Sequence, residues 1–476
     1  MQPAFLSQLQ RLLGDTRLLT DAADCRTYGY DNSMLQGQPL AVALPESHEE
    51  VVGLIRACRE HRVALIARGQ GTGTTGATVP LDANTLIVSL QRMNRIREIS
   101  PDDRLMVVEP GVTNEAVQTA AAEHGFFWPP DPTSAAICTV GGNLAYNSAG
   151  PRAVKYGTPR ENTLALKAVT GAGETIHTGV RTTKGVVGYD LTRLLIGSEG
   201  TLAVITEATL KLTPLQPARR TLRAFYRDVH SAAHAVAAIM AQPVVPCALE
   251  FMDGNAIEMV RPEVGDSLPE GAGALLMIEV DGIASQLDEL VECVVRAAGV
   301  DGALGVEAAR SSEEVAALWS IRKALSPALR RVAPKKINED VVVPVSRIPE
   351  LVTELEQLAT RHRIRIVNFG HAGNGNLHVN LMFDPSDASQ QARATACLED
   401  VFVAVLRMQG TISGEHGIGV VKREWVGREL DTTSLQLMRA IKAQFDPDGI
   451  LNPGKAFPAA GGGRAVNPPP TAPPGR

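Results

Sequence analysis

The segment Gly69-Gln70-Gly71-Thr72-Gly73-Thr74-Thr75-Gly76 most constrains the fold. It follows the apolar run Val63-Ala64-Leu65-Ile66-Ala67, which reads as a short buried strand. Gly71, Gly73 and Gly76 have the G-x-G-x-x-G spacing of a dinucleotide-binding turn. Such a turn must open directly into a helix. Here it opens into Ala77-Thr78-Val79-Pro80, where β-branched residues and a proline resist helix formation. A second strand follows at Thr85-Leu86-Ile87-Val88-Ser89-Leu90. Upstream, Ser47-His48-Glu49-Glu50 has the pattern of a capping box, with Ser47 as cap and Glu50 reaching back. Val51, Val52, Leu54, Ile55 and Cys58 then form an apolar helical stripe. The unit is helix, strand, glycine loop, strand, and it excludes a nicotinamide-binding Rossmann turn.

Such a loop suits phosphate, because consecutive glycines let backbone N–H groups converge on an anion. Two later segments have the same character. One contains Pro129-Pro130-Asp131-Pro132-Thr133-Ser134, Cys138-Thr139-Val140-Gly141-Gly142-Asn143 and Asn147-Ser148-Ala149-Gly150. The stretch from Phe127 to Tyr156 reads as long and irregular, a mark of function in a compact domain. The other is Gly197-Ser198-Glu199-Gly200-Thr201-Leu202, leading into Ala203-Val204-Ile205. Backbone donors and small hydroxyls without fixed positive charge would line a site for a pyrophosphate and an isoalloxazine.

A strand is expected at Leu105–Glu109, a helix capped by Thr113 through about His124, and strands near 164–170 and 201–212. Thr213-Pro214-Leu215-Gln216-Pro217 reads as a domain boundary. Toward the C-terminus, three of the ten histidines lie in two glycine-rich stretches, Gly370–His378 and Ser413-Gly414-Glu415-His416-Gly417. Leu377, Val379, Leu381 and Phe383 alternate with Asn376, His378 and Asn380, so His378 faces away from a core. A glycine turn would bring His371 round towards His378. With Glu415 they offer three ligands and an open fourth position for a metal. The alternative is a polar pocket in which the histidines only hydrogen-bond. On sequence alone Arg322, which follows Trp319 on a helix-like stretch, reads as a solvated surface arginine, although its guanidinium could pair with a carboxylate as two forks.

These motifs resemble the FAD-binding domain of the vanillyl-alcohol oxidase / p-cresol methylhydroxylase superfamily. The match runs from about residue 20 to 456. Leu318-Trp319-x-x-Arg322, Asn338-Glu339-Asp340-Val341-x-Val343-Pro344, the His371/His378 segment, Glu415-His416-Gly417 and Leu451-Asn452-Pro453-Gly454-Lys455 narrow it. Together they resemble the FAD-linked D-2-hydroxy acid dehydrogenases: D-lactate dehydrogenase, D-2-hydroxyglutarate dehydrogenase and the flavin subunit of glycolate oxidase. Gln70 and Asn374 depart from the usual glycine and aspartate of that group.

The resemblance implies an α+β fold: a two-subdomain FAD domain over 1–214, a cap domain with an antiparallel sheet over 215–412, and a segment 413–457 returning to the FAD domain. The glycine- and proline-rich tail 458–476 is expected to be disordered. The FAD contacts implied are Arg68, Gly69, Gln70, Gly71, Thr72 and Gly73 in the first loop. Pro130, Asp131, Thr133, Thr139, Gly141, Gly142, Asn143, Asn147 and Gly150 follow in the second. Glu199, Gly200, Val204, Ile205 and Asn452 complete the set.

By the same resemblance His416 is the catalytic base. Arg322, with Lys336 (Lys335 being the alternative) and Asn376, binds substrate. His371, His378 and Glu415 hold a divalent metal, Zn2+ first and Mn2+ or Co2+ as alternatives. The FAD is expected to be non-covalent, with Cys138 structural. The activity implied is oxidation of a D-2-hydroxy acid to its 2-oxo acid, with D-lactate and D-2-hydroxyglutarate favoured. Electrons would pass to a quinone, a cytochrome or an electron-transfer flavoprotein. A flavin oxidase reacting with oxygen and an electron-transfer subunit are the rival readings.

Composition narrows the partners. Net charge is -6 and aromatic residues make up 4% of the chain, which argues against nucleic acid. The six cysteines are far apart, with no Cys-x-x-Cys pair for a zinc ribbon or iron–sulfur cluster. The first residues lack a basic, apolar leader and no apolar run is long enough to cross a bilayer, so a cytoplasmic chain is expected, with peripheral membrane contact and a homodimer left open.

Overall fold

The computed structural model describes residues 2–264, 269–309 and 311–458. The tail expected to be disordered therefore lies outside the described residues beyond Pro458. The chain divides into two compact units: residues 1–149, 157–215 and 415–476 form one, residues 150–156 and 216–414 the other.

The first unit contains two larger sheets. A four-stranded sheet has the order Leu18–Leu19, Ala41–Ala43, Thr85–Ser89, Ala64–Arg68, and its last three strands run parallel. Parallel strands need covered faces, which explains the uninterrupted burial of Thr85–Ser89. The helix His48–His61 covers one of them. Its Val51, Leu54, Ile55 and Cys58 are fully buried, as their i, i+3, i+4, i+7 spacing requires.

Only half of the expected capping box forms. Ser47 accepts from the Glu50 N–H at 3.2 Å, but the Glu50 carboxylate takes Arg17 Nη1 at 2.7 Å and the Glu46 N–H at 2.7 Å. An ionic partner from another element displaces the weaker backbone contact.

The second sheet is five-stranded and antiparallel, in the order Ile96–Ser100, Leu105–Val108, Ala203–Lys211, Thr163–Thr170, Thr175–Gly179. The stretch 127–156 is less irregular than its composition suggests. It holds the helices Val140–Tyr146 and Ala153–Tyr156. Thr139 caps the first through the Gly142 N–H at 3.3 Å, and Asn147 ends it in the left-handed region. Two good caps outweigh the poor helix propensity of Gly141-Gly142.

The C-terminal segment docks on the first sheet. Leu65 N–H donates to Ile450 O and Asn452 N–H to Leu65 O, each at 2.8 Å. Asp446 holds the approach: its fully buried carboxylate accepts from Lys442 Nζ, from the Ile450 N–H at 3.0 Å and from the Leu451 N–H at 2.8 Å. Asp446→Ala would leave a cation and two amides without that acceptor. A loss of about 3–5 kcal/mol is expected, the cost of breaking a buried pair. Urea unfolding, with faster hydrogen exchange at Ile450 and Leu451, checks it.

The second unit is a seven-stranded antiparallel sheet with helices. Its order is Ala303–Ala308, Ala218–Tyr226, Ala274–Gly282, Ala248–Asp253, Arg365–Gly370, Asn376–Phe383, Lys335–Val342. Met252, Met277, Phe369 and Met382 pack under the helices Gly254–Val264 and Ser312–Val332. The short helix Ala153–Tyr156 is tied to this unit through Asp281, which accepts from Lys155 Nζ at 2.5 Å and Tyr156 OH at 2.7 Å. No helix among the described residues is long and apolar enough to cross a membrane.

Candidate functional site

In the first unit a cavity of about 610 Å³, counted to its open mouth, lies between the glycine segments. The strand Ala64–Arg68 delivers Arg68 and Gly69 to it, and the start of Ala203–Lys211 supplies Ala203, Val204 and Ile205. Thr139, Gly141 and Gly142 form a further wall, with Ser198, Glu199 and Gly200 beside them. The glycines are needed for close approach. A Cβ on Gly141 would lie 2.7 Å from Pro110 Cβ, and one on Gly69 would lie 2.5 Å from Thr139 Oγ1. Among the described residues no acceptor takes the N–H groups of Gln70, Gly71, Thr72 and Gly73. Four such donors in a half-open glycine loop fit a pyrophosphate.

Not every expected contact lines this cavity. Gln70, Gly71, Thr72 and Gly73 form the loop beside it, and Pro130, Asp131 and Thr133 lie off it. Asn143 is buried and bonded to Asn114 and to Cys138 Sγ, which gives both Asn143 and Cys138 packing partners. Asn147 serves as a helix C-cap, and Gly150 falls in the second unit. Asn452 supports the wall from behind, donating to Glu199 O at 2.7 Å.

Three cavity residues carry no sequence motif of their own. Tyr146, Pro110 and Leu90 each line the cavity through packing. Burial drives the Tyr146 phenol well above its usual value, with the Glu199 charge adding to the effect. Lys455 is buried behind Asn452 and donates to Val79 O at 2.7 Å. Burial lowers it from 10.5 to about 8, against Asp31 and Glu199. Between those two values the unfolded chain binds more protons than the folded one. The Lys455 contribution to stability therefore rises as pH rises through this window. Urea midpoints from pH 8 to 10.5 should show that rise in the wild type and a shallower one in Lys455→Met.

The Glu415–Gly417 segment is fastened along the same unit. Ala149 N–H donates to Glu415 Oε2 at 3.3 Å, and Thr75 Oγ1 donates to His416 O at 3.3 Å. Gly417 has φ +78, and a Cβ there would stand 2.6 Å from Tyr146 Cδ1. Glu199 accepts from the Ile418 N–H at 2.6 Å and the Gly419 N–H at 2.7 Å. Burial pushes the Glu199 carboxyl up despite these donors. His416 is thus carried on backbone that touches two residues of the cavity wall.

In the second unit the pleat gathers polar groups on one sheet face. Asp340 stands opposite His378 and Asn338 opposite Asn380, with Lys336 in the same alternation. Lys335, next along, points to the other face. The side chains of Asn376–Phe383 alternate as expected, but the strand is buried on both faces, and the His378 face also carries Phe369 and Met382 of a core, so His378 does not face away from one. Gly375, with φ +75, closes the turn after Ala372–Asn374, and a Cβ there would collide with Val343 O. The turn sets the His371 and His378 rings 5.3 Å apart, edge to face at 84°. Asn374 lies within this turn and donates its N–H to His371 O at 3.0 Å. Asn376 is buried and donates to Val341 O at 3.1 Å.

Arg322 comes from the helix Ser312–Val332 and lies with its guanidinium 4.9 Å over the Phe369 ring. Its Nε donates to Glu250 Oε2 at 2.7 Å, while Glu250 Oε1 accepts from His371 Nδ1 at 2.5 Å. Glu250 is 1% exposed. Burial alone would raise its carboxyl, but His371 and Arg322 outweigh that and hold it below the usual value. Glu250 was not legible in the sequence, because Ala-Leu-Glu-Phe-Met-Asp at 248–253 reads as an ordinary strand. Asp340 lies in the Asn338–Pro344 motif, which by itself gives it no role: fully buried, it accepts from Ser413 Oγ at 3.2 Å and from the Gly414 N–H at 2.9 Å. It anchors the chain one residue before Glu415.

Comparison with known proteins gives concordant matches. The family of FAD linked oxidases, C-terminal domain, matches residues 215–456, and the FAD binding domain family matches residues 39–179. The glycolate oxidase subunit GlcD of Bacillus subtilis (strain 168) is 37% identical over 451 residues, covering 94% of this chain and 96% of that protein. A D-2-hydroxyglutarate dehydrogenase of Xanthomonas citri pv. viticola is 35% identical, covering 96% and 97%. The mitochondrial D-lactate dehydrogenase [cytochrome] of Arabidopsis thaliana is 33% identical, covering 95% and 80%. Among solved structures, p-cresol methylhydroxylase with substrate bound has a TM-score of 0.77 at 16% identity, covering 95% of this chain and 96% of that one, a likeness of fold alone.

Proposed function

We propose a function from one premise: the chain belongs to the FAD-linked oxidases, and is an FAD-linked oxidoreductase of the glycolate oxidase, D-2-hydroxyglutarate and D-lactate dehydrogenase group. Its reaction is the oxidation of a D-2-hydroxy acid to the 2-oxo acid, with D-lactate or D-2-hydroxyglutarate as substrate. The observation that carries this is Arg322, whose Nε is held by Glu250 while no described residue accepts from Nη1 or Nη2. That end of the guanidinium is the edge that grips a carboxylate. Glu250 links it directly to His371.

FAD, bound non-covalently at the glycine-lined cavity, would supply the hydride acceptor, its N5. A divalent metal on His371, His378 and Glu415 would polarise the substrate hydroxyl. Two imidazoles and a carboxylate suit Zn2+, with Mn2+ or Co2+ as alternatives, and the Glu250 bond to His371 is the outer support such ligands commonly have. Arg322 holds the substrate carboxylate, and Lys336 and Asn376 bind alongside. His416 takes the hydroxyl proton as C2 gives up its hydride. The C–O bond becomes a carbonyl, and one proton and one hydride leave the substrate. A quinone, a cytochrome or an electron-transfer flavoprotein then receives the two electrons.

The relatives named as subunits favour a second reading, in which the chain works mainly in electron transfer within a larger assembly. Stopped-flow mixing under anaerobic conditions separates the two. The proposed enzyme is bleached by a D-2-hydroxy acid on its own, whereas an electron-transfer subunit stays yellow. Slow reoxidation by air is expected of a dehydrogenase, and fast reoxidation would instead make it an oxidase.

A further inference from the structure

We infer that Glu250 is a positioning residue that serves two parts of the site at once, setting the proton of His371 and the aim of Arg322. The inference rests on the reading of His371 as a metal ligand and Arg322 as the carboxylate anchor, and assigns a further residue to that machinery.

The geometry is specific. An ionised carboxylate only accepts hydrogen bonds, so the 2.5 Å contact requires the proton on His371 Nδ1. In the neutral imidazole that a metal ligand requires, the lone pair then sits on Nε2. The other carboxylate oxygen takes Arg322 Nε at 2.7 Å, and no described residue accepts from Nη1 or Nη2. One side chain thereby orders a neutral ligand and a cationic anchor. All three residues are nine-tenths or more buried, so water does not compete strongly for these bonds.

A purely structural role accounts poorly for the residue. Met252 is on the same pleat face two residues along, and Met277 is its partner across the sheet; both are buried. An apolar side chain fits this row, whereas a buried carboxylate carries a desolvation cost that methionine does not. Glu279, on the same face, shows what a packing acid looks like here. It accepts from Thr221 Oγ1, Trp319 Nε1 and Arg219 Nη1 and touches neither His371 nor His378.

The test uses the full-length FAD enzyme and Glu250→Gln. The glutamine oxygen keeps Arg322 Nε and presents its NH2 to His371 Nδ1, which pushes the histidine proton to Nε2. Expected are a 10–100-fold weaker Zn2+ affinity of the metal-stripped protein, measured by competition with a chromophoric chelator. A switch of His371 to the Nε2–H tautomer in 15N spectra of histidine-labelled protein should accompany it, with a raised KM for the D-2-hydroxy acid. Glu250→Asp keeps the charge one methylene short and should fall between the two in Zn2+ affinity. It also provides the reading should the glutamine variant not fold. Wild-type Zn2+ affinity and an unchanged tautomer in either variant overturn the inference. A wild type that binds no Zn2+, while Glu250→Gln still switches the tautomer, overturns the metal reading and leaves the hold of Glu250 on His371 standing.

Discussion

His416→Ala is expected to slow reduction of the flavin by substrate about 10²–10⁴-fold, the usual contribution of a positioned base, while FAD stays bound. The expectation follows from how the residue is mounted. Its backbone is held by Thr75, and the next residue, Gly417, packs against Tyr146, so these backbone contacts do not depend on the imidazole. Glu199, which holds the Ile418 and Gly419 N–H groups, is likewise untouched. Rapid-mixing absorbance at the flavin band measures the rate, and the visible spectrum of the purified variant measures FAD content. A variant that retains FAD and is reduced at the wild-type rate would remove His416 from the chemistry.

Removal of the metal proposed for His371, His378 and Glu415 is expected to be the second large effect. A Lewis acid on the substrate oxygen supplies several kcal/mol, which corresponds to about a 10³-fold loss of turnover on its removal. His378→Ala should produce the same loss without chelator. Zn2+ should restore the stripped wild type but not the variant. Metal analysis against flavin content should give one ion per FAD. Full activity in rigorously metal-free protein would return His371 and His378 to the alternative, a polar pocket in which they only donate and accept hydrogen bonds.

The glycine loop that fails to enter a helix excluded a Rossmann turn on local sterics, and the flavin-binding fold was readable only through the resemblance of the glycine motifs to a known family. The side-chain alternation around His378 was readable, since a period of two follows from the pleat, but the burial of both faces was not, because it depends on helices packed from elsewhere in the chain. Residues whose role depends on a distant partner were not. Glu250 and Arg322 meet across 72 positions, and Glu250 and His371 across 121. No local pattern marks such a pair. The allotment of 150–156 to the second unit is hidden for a similar reason: it depends on Asp281, far along the chain, accepting from Lys155 and Tyr156. Glu50 shows the converse. Its spacing from Ser47 predicts a reciprocal cap, and Arg17 takes the carboxylate instead.

The central claim is that C2 of a D-2-hydroxy acid delivers its hydride to the flavin in this chain. The most direct measurement is an anaerobic single turnover of the FAD-loaded enzyme with D-lactate and with D-2-hydroxyglutarate, counting 2-oxo acid formed against flavin bleached. One 2-oxo acid per flavin reduced, from at least one of these acids and not from its L-enantiomer, is the predicted result. A flavin that stays oxidised with both acids, or that bleaches without forming a 2-oxo acid, would contradict it.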